Sequence, residues 1–340
     1  MLISNLWDKI LNQYNVLELF AGAGGLALGL EQAGFSTSGL VEIDRYACAT
    51  LSANRPNWKV YNLDIVDFNL HLSDYIKDEI DLISGGFPCQ PFSYAGTKLG
   101  LQDTRGTLFY DFANIIKKIQ PKIFLAENVK GLTTHDNGKT LATILNVFDE
   151  IGYNLHHKVL NAVDYQVAQK RERLVIIGVR KDLPNTYVFP QKCLPKLVLN
   201  DILRDVPLSA GAKYPEKKKL VLDLVPPGGC WRNLPEDIAK EYLAGSYYLG
   251  GGKTGIARRI AWNEPSLTLT CSPAQKQTER CHPDETRPFT VREYARIQSF
   301  PDSWVFQGGL NNQYKQIGNA VPVNLAKHIG ISIIDYLERL

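Results

Sequence analysis

Val16-Leu17-Glu18-Leu19-Phe20-Ala21-Gly22-Ala23-Gly24-Gly25 decides how this chain folds. Residues 16–20 are apolar but for Glu18 and read as a buried strand. The glycines end it, and residues 26–32 carry a helical pattern closed by Gly34. Strand, glycine turn and helix open a nucleotide-binding α/β unit. Glycines admit a ligand to the backbone, and the helix N-terminus offers free N–H groups. The spacing is not GxGxxG, which speaks against a pyrophosphate, and a glycine turn can also serve packing alone.

The same rhythm continues outward. Residues 38–41 read as a strand ending at Glu42, placed to accept from both hydroxyls of a ribose. Residues 59–63 end at Asp64, placed to accept from an adenine amino group. Either acid could instead cap a helix, although Asp44 and Asp67 are more obvious caps. Residues 80–84 form a fourth apolar run, stopped by Gly85-Gly86-Phe87-Pro88-Cys89-Gln90-Pro91-Phe92-Ser93. Free cysteines are usually small buried hydrophobes. Cys89, on a proline-braced turn at a strand's carboxyl end, reads as a nucleophile.

Residues 94–106 form a polar loop with Gly96 and Gly100 as flexible points, suited to a lid. A helix over 108–119 and a strand over 122–125 lead to Glu127, on the rim that carries Cys89, as acid or hydrogen-bond partner. A helix over 139–151 and a strand near 157–160 precede Gln169-Lys170-Arg171-Glu172-Arg173, which opens the strand 174–179. Arg171 and Arg173, two apart, would share a strand face and suit a phosphate or a base carbonyl, or else a salt bridge. Residues 1–14 read as an amphipathic lead-in helix, and residues 319–340 as a closing helix.

At 340 residues, 44% hydrophobic and 21% charged, the chain has the composition of a soluble globular protein of one or two domains. No apolar run approaches the ~18 residues of a membrane span, and residues 1–14 do not resemble a signal peptide. Six cysteines without a CxxC pair suggest neither a zinc site nor a disulfide framework, hence no metal and a reduced, cytoplasmic protein. Net charge is +3 overall, −2 over residues 1–180 and +5 over 181–300, so the middle is mildly basic and compatible with nucleic acid.

These segments resemble the DNA (cytosine-5) methyltransferases of bacterial restriction–modification systems. The resemblance rests on Phe20-Ala21-Gly22-Ala23-Gly24-Gly25, Gly86-Phe87-Pro88-Cys89-Gln90, Glu127-Asn128-Val129 and Gln169-Lys170-Arg171-Glu172-Arg173. Two late segments add to it: Arg292-Glu293-Tyr294-Ala295-Arg296 with Phe300-Pro301-Asp302, and Gln316-Ile317-Gly318-Asn319-Ala320-Val321-Pro322. It implies an α/β, Rossmann-like, S-adenosyl-L-methionine-dependent catalytic domain, residues 1–183 plus 286–340. A small, irregular, mostly β target-recognition domain would occupy residues 184–285.

It further implies that Cys89 adds to carbon 6 of a cytosine flipped out of double-stranded DNA, and that carbon 5 takes the methyl group. Glu127 would hold or protonate ring nitrogen 3, Arg173 would bind the 2-carbonyl, and Arg171 would steady the site. The cofactor would lie on Phe20, Gly22, Gly24 and Gly25, with Glu42 at the ribose, Ile43 in the place of an aromatic beside the adenine, and Asp64 at the amino group. Pro88 would sit beside the base, and Asn319 would support the methionine end. Glu18, Pro91 and Ala95 depart from commoner family residues. A paired restriction endonuclease and a monomeric enzyme are implied as well.

Between 184 and 285, prolines and glycine clusters break the βα rhythm. Candidate DNA contacts there are Arg258, Arg259, Thr268, Leu269, Gln275, Lys276, Gln277 and Arg280, joined from the first half by Ser93 and Arg105. Lys217-Lys218-Lys219 reads as phosphate contacts or a solvated face. Two rival readings are a nicotinamide-dependent oxidoreductase and a DNA-binding module without catalysis. The first gives Cys89, Glu127 and Arg173 no joint role, and the presence of all three with Arg171 argues against the second.

Overall fold

A computed structural model describes residues 14–76, 78–88, 107–248 and 255–340. The expected lead-in helix therefore lies outside the described residues save for Tyr14, which begins a strand instead. The chain divides into two compact units, the described parts of Met1–Asn161, Glu172–Lys192 and Val321–Leu340, and those of Ala162–Arg171 and Cys193–Ala320. This division differs from the expected boundaries at 183/184 and 285/286. The segments 162–171 and 286–320 group with the middle of the chain rather than with the sheet.

Nine strands are described: β1 (Tyr14–Leu19), β2 (Phe35–Glu42), β3 (Val60–Asn62), β4 (Leu82–Gly85), β5 (Ile123–Val129), β6 (Tyr153–Asn161), β7 (Gln169–Lys170), β8 (Glu172–Arg180) and β9 (Ser266–Leu267). In the first unit, seven form one sheet in the order β3-β2-β1-β4-β5-β8-β6. The pairs among β1 to β5 are parallel, while β8 lies antiparallel to β5 and β6. Strand order reverses between β1 and β4, which puts a ligand crevice at the carboxyl ends of these strands.

Both faces of the sheet are covered, as its near-continuous apolar strands require. Leu17, Leu19, Ile83, Phe124 and Ile176 pack with Phe109, Phe112 and Phe148 of the helices Leu108–Ile119 and Lys139–Glu150. On the alternate positions Val16, Leu82, Ile123, Leu125 and Val175 are equally buried. The helices Gly25–Ala33 and Val323–Leu337 cross at close range. A Cβ on Gly29 would lie 2.4 Å from that of Ala326, and one on Gly330 2.7 Å from that of Ala33. The closing helix expected over residues 319–340 is Val323–Leu337, which begins after Pro322; Asn319 ends the preceding helix, Leu310–Asn319.

The second unit carries little sheet. Among its described residues, β7 pairs in parallel with β9 over two residues each, and helices such as Glu216–Asp223, Glu236–Leu243 and Val291–Ile297 supply most regular structure. The expectation of a mostly β small domain is corrected here. Proline and glycine interrupt ladders, and buried side chains bond the main chain instead. Arg259 donates to the carbonyls of Leu222, Val225 and His282, and the fully buried Glu279 accepts from Lys218, the Tyr242 hydroxyl and the Ala257 N–H.

Candidate active site

The carboxyl ends of β1, β2 and β3 make one lobe of the crevice. Phe20, just past β1, has φ 58°, a left-handed value uncommon for a side chain with a Cβ. Its ring lies 6.4 Å from that of Phe112. Gly22 (φ 54°) and Gly24 (φ 84°) continue the left-handed turn, and Gly24 precedes the helix Gly25–Ala33 without a capping side chain. Inside the sheet, the buried Glu18 carboxyl lies beside the Ala27 N–H and the Ser84 hydroxyl, and burial pushes its pKa well above the usual carboxylate range.

Glu42 orders the glycine turn. One carboxylate oxygen accepts from the Gly22 N–H and the other from the Asp44 N–H, each at 2.7 Å. A carboxylate has about four acceptor sites, so both oxygens retain capacity for hydroxyls. Ile43, 65% exposed, presents an apolar side chain at the same edge. Asp44 caps the helix Arg45–Asn54, and Asp64 caps Ile65–Leu70 by accepting from the Val66 N–H at 2.8 Å. Asp67 is no cap and stands in the first turn of that helix. A Cβ built on Gly22 would meet nothing within 4 Å. Open glycine backbone, an exposed aliphatic surface and two carboxylates fit the amino acid, adenine and ribose portions of S-adenosylmethionine.

The ends of β4, β5 and β8 make the other lobe. Beyond Gly85, residues 86–88 run to an exposed Pro88 while Phe87 stays buried against Phe109 and Phe112. Asn128 Nδ2 donates to the Phe87 carbonyl at 2.9 Å and so ties β5 to the turn that leads into Cys89. Glu127 Oε1 lies 2.7 Å from Arg173 Nε, a pair made possible by the register that sets Val129 opposite Arg173 and Glu127 opposite Val175. Gly86 leaves room for it, since a Cβ there would lie 2.9 Å from Glu127 Oε2. Cys89, Ser93 and Arg105, with the whole expected lid over 94–106, lie outside the described residues.

Among the described cysteines, burial pushes the thiol of Cys48 up to about 12 and that of Cys281 up to about 11, so neither is a ready nucleophile.

Arg171 and Arg173 do not share a task. Arg173 belongs to β8 in the first unit, but Arg171 falls between β7 and β8 in the second. Arg171 is 1% exposed and donates to the carbonyls of Leu269 and Gly318. Asn319, also in the second unit, accepts from the Cys271 thiol at 2.8 Å.

The DNA-contact candidates separate by exposure. Arg259 and Arg280 are buried and bonded to main-chain carbonyls, Arg258 pairs with Glu264, and Leu269 is buried. As direct contacts to phosphates or base edges these four are corrected, because their donors or their surface are already used inside the unit. Lys218 is likewise spent on Glu279 and the Ala274 carbonyl. Gln275 and Lys276 are exposed and Thr268 half-exposed, while the Gln277 side chain lies outside the description. Sequence reasoning gave no role to Asn128, Gly86, Tyr294 or Glu279. Asn128 adjoins Glu127, but its partner is a main-chain carbonyl, which no sequence pattern marks.

A largely parallel seven-stranded sheet in this order is the fold of the Rossmann-like methyltransferases. The chain belongs to the C-5 cytosine-specific DNA methylase family, whose model matches residues 14–335. It is 60% identical over 330 residues to the Type II methyltransferase M.Sau96I of Staphylococcus aureus, covering 96% of this chain and 77% of that protein. It is 58% identical over 341 residues to M.Eco47II of Escherichia coli, covering 97% and 81%. A crystal structure of a prophage-encoded DNA modification methyltransferase from E. coli superposes with TM-score 0.70 at 25% identity, over 96% of this chain and all of that one. The protein is a DNA (cytosine-5-)-methyltransferase of the restriction–modification type. Among its described residues, no helix is long and apolar enough to cross a membrane.

Proposed function

We propose that the enzyme methylates carbon 5 of a cytosine flipped out of a short sequence in duplex DNA, through a covalent adduct with Cys89. The observation that carries this reading is the Glu127–Arg173 pair beside the turn into Cys89. Cytosine presents nitrogen 3 and the 2-carbonyl as neighbouring acceptors. Glu127 holds or protonates the first and Arg173 donates to the second, drawing electrons from carbon 6 as the Cys89 thiolate adds there. Carbon 5 becomes an enamine carbon and so a nucleophile. Bound S-adenosylmethionine supplies the methyl group. Loss of the carbon-5 proton to water or hydroxide then expels the Cys89 thiolate, restoring the aromatic ring.

Phe20, Gly22, Gly24, Gly25, Glu42, Ile43 and Asp64 hold the donor, Pro88 lies beside the base, and Asn319 supports the methionine end. Residues 184–285, most of them in the second unit, read the target, with Thr268, Gln275, Lys276 and Gln277 as base contacts and Ser93 and Arg105 as further DNA contacts. The enzyme works as a cytoplasmic monomer and protects host DNA from a paired restriction endonuclease.

A duplex carrying 5-fluorocytosine tests the adduct, because fluorine cannot leave as a proton and the covalent complex persists. Wild-type protein with S-adenosylmethionine should form a complex stable to denaturation, and Cys89→Ser should form none. Trapping by the serine variant, or methylation of DNA without Cys89, would defeat the mechanism.

A further inference from the structure

β7 and β9 pair only as far as Leu267, so the next three residues leave the ladder. Their carbonyls are nonetheless all bonded by buried side chains. Thr268 O accepts from Arg280 Nη2 at 3.1 Å, Leu269 O from Arg171 Nη1 at 3.1 Å, and Thr270 O from the Tyr294 hydroxyl at 3.3 Å. The donors are 6%, 1% and 0% exposed. Gln169 Oε1 takes the Leu269 N–H at 2.9 Å, and the Thr268 hydroxyl donates to Lys170 O at 2.8 Å. Packing adds a limit, since a Cβ on Gly318 would lie 2.4 Å from Thr270 O.

A surface loop has its carbonyls satisfied by water at no structural cost, whereas burying two guanidiniums and a phenol is unfavourable unless each donor is matched. Matching three successive carbonyls fixes the main chain residue by residue. That is what base reading demands, because neighbouring bases are ~3.4 Å apart along a strand and a slipped main chain addresses the wrong pair.

We propose that Arg171, Arg280 and Tyr294 are positioning residues for target discrimination, fixing the main chain of residues 268–270 so that Thr268 and the exposed residues that follow meet the DNA site in a single register. This rests on the reading of the second unit as the target-reading part. It assigns specificity to side chains turned away from the surface.

The test uses full-length protein, plasmid DNA and S-adenosylmethionine at low extents of reaction, with bisulfite sequencing to count methylated contexts. Tyr294→Phe removes one hydroxyl, and Arg280→Lys keeps the charge but loses the second donor. Wild type should confine 5-methylcytosine to one short sequence. Each variant should spread it to sites differing at one base pair, raising the off-site to on-site ratio about tenfold or more, with thermal unfolding close to wild type. An unchanged ratio in active variants overturns the proposal. So does complete loss of methylation in variants that unfold and bind S-adenosylmethionine like wild type, which would put these donors in the chemical step. Should Arg280→Lys fail to fold, Tyr294→Phe decides. If wild type itself modifies no cytosine, the proposed function fails, a result seen before any variant is compared.

Discussion

Arg173 Nε stands 2.7 Å from Glu127 Oε1, and the two side chains keep only 12% and 14% of their surface. In so dry a place, removing one partner strands the other. Arg173→Ala should therefore cost about 3 kcal/mol of stability and abolish turnover. Glu127→Gln keeps an acceptor for Arg173 Nε and should unfold near wild type, yet it lacks a titratable proton and should lose at least about 100-fold in kcat. Thermal unfolding alongside single-turnover methylation separates the two effects. A fully active Glu127→Gln would remove Glu127 from the chemistry.

Gly86 offers a steric version of the same test. Its added Cβ would press on Glu127 Oε2 at 2.9 Å, the far end of a side chain that can yield. Gly86→Ala should thus change stability by less than about 1 kcal/mol. The displaced carboxylate should nevertheless lower turnover about 100-fold. Equal activity in the alanine variant would mean that the position of Glu127 does not matter.

Asp64 is both a helix cap and the proposed partner of the adenine amino group. Asparagine caps as well as aspartate, so Asp64→Asn should retain stability, while Asp64→Ala should lose about 1 kcal/mol. Both should bind S-adenosylmethionine about tenfold more weakly by calorimetry, because the second carboxylate oxygen is gone. Wild-type affinity in Asp64→Asn would leave Asp64 a cap and nothing more.

The buried thiols give a pH signature. Burial, aided for Cys48 by the charges of Glu42 and Asp44, raises Cys48 from the usual value near 9 to about 12, and burial raises Cys281 to about 11. Folded values above unfolded ones mean stability that is complete below about pH 9 and is lost as pH rises through 11 to 12. Thermal unfolding followed upward from about pH 8 should show that decline, and Cys48→Ala with Cys281→Ala should flatten it. At about pH 8 iodoacetamide should label the exposed Cys271 and spare the buried Cys48 and Cys281 until denaturant is added.

The rim of strand ends was legible in the chain itself. Hydrophobic period, glycine turns and proline stops are local signals, and they marked Phe20, Gly22, Glu42, Asp64, Pro88 and Glu127 before any contact was known. The helix Leu108–Ile119 was likewise readable to its ends, since Thr107 caps it and the apolar face repeats at helical spacing. β6 was not, because its N-terminal half mixes asparagine and histidine with apolar residues and gains its strand from nine paired positions on β8. Charged residues were the least readable. Arg171, Arg259 and Arg280 look like surface cations in sequence, but their partners are main-chain carbonyls far along the chain, which any residue supplies.

The sequence by itself determined the order of strands and turns, the residues at each strand end and, through its motifs, the family. Only the tertiary structure decided which cations stay inside, that Arg171 and Arg173 part company, and that residues 268–270 are held by three buried donors. Local periodicity encodes an element because each residue's neighbours are its chain neighbours. A buried guanidinium is settled by carbonyls that folding brings to it, and desolvation makes that choice strict.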